Sequence, residues 1–124
     1  MSEEPEVPKA PQTKATVAVV VQKAYDLTLW LLPKVEKFPR SFRFSVGERI
    51  VAAALDLLLL LVDASYARQK DTLLVDANRR VNALRFLLRL SNDLRLLPEA
   101  RYAFASQRLD EVGRMVGGWL RAAR

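Results

Sequence analysis

The chain has 124 residues, 51% hydrophobic and 27% charged, the make-up of one folded domain with a sizeable core rather than a disordered segment. It contains no Cys and no His, which excludes disulfides, thiolate and imidazole metal sites, cysteine nucleophiles, Ser-His-Asp chemistry and a histidine pH switch. The net charge is +6, and residues 79–124 hold ten Arg against Asp93, Glu99, Asp110 and Glu111, so the whole excess lies there and is arginine. Arginine suits bidentate phosphate and carboxylate recognition better than lysine does.

Residues 1–15 read as a disordered or loosely ordered tail. Glu3, Glu4 and Glu6 are spaced by Pro5, Pro8 and Pro11, with no apolar run of a secretory signal. That absence and the lack of cysteine fit a cytoplasmic chain, which is the expectation. Residues 16–124 read as a helical domain, because glycine is scarce and leucine and alanine dominate.

The first helix is expected over residues 16–37, with Val17, Val20, Val21, Ala24, Leu27, Leu31 and Val35 as its apolar stripe. Thr16 or Thr13 would cap it. Pro33 sits inside the pattern and should kink the helix, and Pro39 ends the segment. Phe38, Phe42 and Phe44 follow, interleaved with Arg40 and Arg43. They read as cover for one end of the core, the alternative being a stacking platform for single-stranded bases.

Ser45-Val46-Gly47-Glu48 reads as a capping box that opens a second helix, which runs to about Arg68. Val46, Ile50, Ala53, Leu57, Leu60, Ala64 and Ala67 make its stripe. Ala54, Leu58 and Leu61 widen that stripe, and Leu59 adds an apolar group on the far side. A helix this apolar needs more than one packing partner, in the fold or in a second subunit. The run from Ile50 to Val62 falls short of the ~20 residues that span a bilayer. Asp56 inside it reads as an ion-paired or solvated surface group rather than a catalytic acid.

Asp71 is a suitable cap for a third helix running to about Asn92. Leu74, Ala77, Val81, Leu84, Leu88 and Ser91 recur at spacings of three and four, the buried stripe. Asn78, Asn82, Arg85, Arg89 and Asn92 recur likewise on the opposite side, so Arg85 and Arg89 share an outer face. Pro98 suits the first position of a fourth helix, which runs almost to the C-terminus. Its stripe is Tyr102, Ala105, Leu109, Val112, Val116, Trp119 and Ala123. Gly113, Gly117 and Gly118 lower its intrinsic stability, which implies close approach of a neighbouring backbone. Asp110 and Glu111 are the expected ion-pair partners of Arg114. Four amphipathic helices, the last three joined by short connections, give an all-α, antiparallel up-down-up-down four-helix bundle.

Leu84-Arg85-Phe86-Leu87-Leu88-Arg89-Leu90 and the stretch from Glu111 to Leu120, read as EVGRMVGGWL, resemble matching segments of one small bundle family. Tyr25, Pro33 and the Phe38-Pro39-Arg40 turn resemble it in the same order. The family comprises the accessory variability determinant proteins of diversity-generating retroelements. Related four-helix-bundle proteins are encoded in intervening sequences of large-subunit rRNA genes.

The resemblance implies a basic homopentamer that binds the element's reverse transcriptase and nucleic acid, template RNA or cDNA, during mutagenic retrohoming. It implies that the chain is not itself the polymerase. No constellation of base, nucleophile or metal ligands is visible in the sequence, so a non-catalytic subunit is expected, with no cofactor, metal, small-molecule substrate or membrane. Arg85 and Arg89 match the arginines of the family's Leu-Arg-Phe-x-Leu-Arg segment and take the binding role first. The remaining candidates are Arg79, Arg80, Arg95, Arg101, Arg108 and Arg114. The competing expectation is an oligomeric scaffold of the rRNA intervening-sequence type, its arginines paired with acids on neighbouring helices or subunits.

Overall fold

A computed structural model describes residues 14–124. The expected tail therefore lies outside the described residues, apart from Lys14 and Ala15, which belong to the first helix. Four long helices, α1 (Lys14–Glu36), α3 (Glu48–Tyr66), α4 (Asp71–Asp93) and α5 (Glu99–Ala123), make the fold, with no strand among the described residues. A single short turn, α2 (Arg40–Phe42), and a widened π-type turn (Arg43–Gly47) lead from α1 into α3. Each of α1 and α4 packs on both α3 and α5, so the long helices close around one core.

The apolar stripes read from spacing form that core. On α4, Leu74, Ala77, Val81, Leu84 and Leu88 are fully buried. They meet Leu57 and Leu61 of α3 and Leu109, Val112 and Val116 of α5 within one cluster. Burying a Leu side chain contributes about 1.5–3 kcal/mol, so this shared stripe is the main source of cohesion. Two polar groups in the core satisfy themselves locally: the Thr28 hydroxyl donates to Ala24 O, and the Ser91 hydroxyl to Leu87 O. By length and composition α1 could cross a membrane; six of its residues are buried in this core.

Pro33 lies inside α1, which continues to Glu36, as the pattern placed it. Several other local expectations shift. Thr16 falls inside the first turns of α1, and Thr13 lies outside the described residues. The capping box at Ser45 does not form. The chain turns helical already after Pro39, whose carbonyl accepts from the Phe42 and Arg43 amides, so the Ser45 hydroxyl turns back onto Ser41 O at 3.1 Å. The π-type turn lays buried Gly47 against Val35, where a Cβ would lie 3.0 Å from Val35 Cγ1. Asp71 is the first residue of α4 rather than its cap, and Pro98 occupies the cap position of α5 rather than its first.

The ends of the connections are tied by side chains. Lys70 Nζ donates to Ala64 O at 2.7 Å and Ala67 O at 2.6 Å, closing the carbonyl end of α3 with a positive charge. Asn92 Nδ2 donates to Leu97 O at 3.1 Å and Glu99 Oε1 at 3.3 Å, bracing the α4–α5 turn.

Candidate nucleic-acid interface

Arg85 and Arg89 lie on the outer side of α4, as the spacing required, and line one shallow groove against α5 with Phe86, Tyr102, Ser106 and Asp110. Their situations differ. Arg85 donates from Nη1 to Asn82 Oδ1 at 2.8 Å and from Nε to Asp110 Oδ1 at 3.2 Å, an ion pair between two half-exposed groups. Arg89 has no ion pair or hydrogen bond among the described residues and stands free in the groove. Phe86 beside them is 69% exposed, and Leu90 on α4 and Leu94 just past its end continue the apolar line.

The other candidates separate into distinct places. Arg79 pairs with Asp76 one turn back at 3.1 Å. Arg80 reaches across to Asp56 of α3 at 3.4 Å, which accounts for the acid inside the apolar run. Arg95 sits in the α4–α5 turn and Arg101 in the first turn of α5, both exposed. Arg114 lines a surface hollow with Arg121, Gly113 and Gly117. Its expected partners are engaged elsewhere: Asp110 with Arg85, and Glu111 with Lys23 at 3.0 Å. The long-range pairs win because the helix contacts bring Arg85 and Lys23 over those two carboxylates.

Arg108 belongs to a second arrangement that the arginine pattern did not show. Its guanidinium lies 4.8 Å from the centre of the Phe104 ring. Phe104 meets Trp30 of α1 with ring centres 4.8 Å apart and planes tilted by 42°. Lys34 lies 4.7 Å over the Trp30 ring. Trp30, Phe104 and Arg108, with Lys23, Asp26, Leu27 and Glu111, border a cleft of about 430 Å³ between α1 and α5, and Lys34 stands outside its lining on the Trp30 ring. The Lys23 ammonium, helped by Arg108 and Arg114, holds the Glu111 carboxyl below the usual glutamate range, against a smaller opposing effect of burial. The signal available in sequence was the doubled spacing of an aromatic residue followed four positions later by a cation, Trp30–Lys34 and Phe104–Arg108. What joins the two pairs is the register of α1 on α5, which no local spacing carries.

At the turn before α3, Phe38 is buried and Phe42 packs on the core, as cover for its end. Phe44 departs from that role: it is 57% exposed, with Arg40 and Arg43 over its ring at 5.8 and 5.2 Å. Among the described residues no three acidic groups gather as a metal site requires.

An all-helical basic protein with its arginines concentrated in residues 79–124 is the class these features define. A family model described as bAvd-like matches residues 18–123, and the chain belongs to that family, in agreement with its resemblance to the accessory variability determinants. No curated protein and no solved structure matches the chain.

Proposed function

We propose that this chain is a non-catalytic accessory subunit that binds nucleic acid, associates with a retroelement reverse transcriptase in the cytoplasm and supports mutagenic retrohoming. The observation that carries the reading is the arginine excess of residues 79–124 in a member of the bAvd-like family. Arg89, Arg95, Arg101 and Arg114 make no ion pair among the described residues, and all are exposed. Such groups gain little for the fold and much from a phosphate backbone.

The bundle is read as antiparallel and up-down-up-down. From Lys23 to Trp30 the contacts advance two turns along α1, while their partners on α5 step back two turns, from Glu111 to Phe104. The short connections at 67–70 and 94–98 support the same direction change between α3, α4 and α5. Assembly as a homo-oligomer is supported by apolar groups left on the outer sides of two helices. These are Leu55, Leu59 and Tyr66 on α3, and Phe86 and Leu90 on α4 with Leu94 just past its end. The number five rests on the family resemblance alone.

One observation favours the scaffold reading instead: Arg79, Arg80 and Arg85 are each paired with a carboxylate of the same chain. A salt titration separates the two. Phosphate contacts lower log affinity by ~0.9 per contact per unit of log salt on duplex and ~0.7 on single strands. A steep slope supports the binding subunit, and absence of binding at low salt removes it.

A further inference from the structure

We propose that the α1–α5 cleft is a stacking site for one unpaired base of a single-stranded nucleic acid, with Trp30 and Phe104 as the platform and Arg108 and Lys34 as the phosphate contacts. This rests on the nucleic-acid-binding reading and adds the kind of strand and a place for it.

Two aromatic rings from different helices meet at 4.8 Å and leave Phe104 37% exposed, so the pair is incompletely covered by its own chain. The cleft beside them, about 430 Å³, falls in the range of sites that hold small organic groups. Each ring carries a cation on its face, Lys34 on Trp30 and Arg108 on Phe104. Neither cation has a hydrogen bond or ion pair among the described residues. Lys34 is held by its ring contact, and Arg108 by its ring contact and the through-space attraction of Glu111, each at the end of a long flexible stem. A phosphate offers both a stronger partner, and the ring faces they leave are then open to a base.

Of the acids at the cleft, Glu111 is paired with Lys23 at 3.0 Å, whereas Asp26 accepts only from the neutral Gln22 Nε2 at 2.9 Å and is not offset by a cation, so the phosphate is placed on the Arg108 and Lys34 side of the rings. A base within a duplex has both faces covered by its neighbours and cannot use the platform. Sequence reading of the base is not implied, because every base has a stacking face.

The test uses the full chain and a labelled oligonucleotide, offered single-stranded and as its duplex, with binding followed by anisotropy and by tryptophan emission. Trp119 is 2% exposed, so contact quenching reports Trp30. The single strand is expected to quench the emission. Phe104→Leu keeps an apolar group on α5 facing α1 but removes the ring. It is expected to weaken single-strand binding by about tenfold while duplex binding and the melting temperature stay as in the parent. Parental single-strand affinity in this variant with no quenching in the parent overturns the cleft, as does equal loss on strand and duplex. A nucleoside monophosphate that binds as tightly as the strand overturns it too, since the site then serves a small molecule. A parent chain that binds neither strand nor duplex removes the function proposed above, and the cleft with it.

Discussion

The guanidinium of Arg85 occupies the space that Gly113 leaves open on α5. A Cβ at Gly113 would lie 2.7 Å from Arg85 Nη2 and 3.1 Å from Val81 Cγ1. Gly113 thus lets α4 approach and gives Arg85 its path to Asp110. Gly113→Leu is expected to cost about 1–3 kcal/mol by overpacking against Val81 and to displace Arg85. Chemical denaturation checks this; an unchanged midpoint would mean that α4 and α5 do not meet closely there.

Gly117 behaves differently from what its sequence position, one turn on, suggested. The nearest atom to a Cβ there is Arg121 Nη1 at 3.6 Å, an ordinary contact, and no neighbouring backbone approaches. Gly117→Ala is therefore expected to stabilise the fold by up to about 1 kcal/mol through helix propensity alone. A lower denaturation midpoint would show that Gly117 is packed by something outside this chain.

Arg95 is the one described non-glycine residue with positive φ, at 63°. It ends α4 in a reversed turn, with Leu96 N donating to Ser91 O at 2.8 Å and Arg95 N to Asn92 O at 2.9 Å. Glycine is the usual occupant because a Cβ is disfavoured there by roughly 1–2 kcal/mol. Arg95→Gly is expected to raise stability by about 1 kcal/mol, read as a higher melting temperature. A fall would mean that the arginine side chain contributes more to the fold than its exposure indicates.

Glu111 has its pKa depressed, chiefly by the hydrogen bond from Lys23. Its contribution to stability is therefore present above the ordinary glutamate pKa, about 4.3, and is lost as pH falls through the lower folded value. The advantage of the parent over Glu111→Gln should hold near neutral pH and shrink in the acid range below that. Melting curves at several pH values check this, and a gap that persists unchanged at acid pH would contradict it.

The helices and their buried faces were legible because one physical quantity, apolar spacing at three and four, fixes both. Leu74 to Ser91 is the clearest case: every residue of that stripe is buried. Partners across helices were not legible. Arg114 has two acids at helical spacing, yet Asp110 and Glu111 turn to Arg85 and Lys23, because contact between helices depends on register. Ser45 misled for a similar reason. Its capping pattern is local, whereas Pro39 had already started the helical turn. Trp30 and Phe104 each lie beside an apolar stripe, and only the docking of α1 on α5 makes them a pair.

The most direct measurement is nucleic-acid binding by the Arg85→Ala, Arg89→Ala double variant at two salt concentrations, beside its circular-dichroism melt. Arg89 has no partner to lose, and the exposed Arg85–Asp110 pair is worth at most about 1 kcal/mol, so the fold should survive. Binding should weaken by roughly 1 kcal/mol or more per lost charge-assisted contact, with a shallower salt dependence. Unchanged binding together with a collapsed melting temperature would contradict the assignment and leave these arginines as struts between helices.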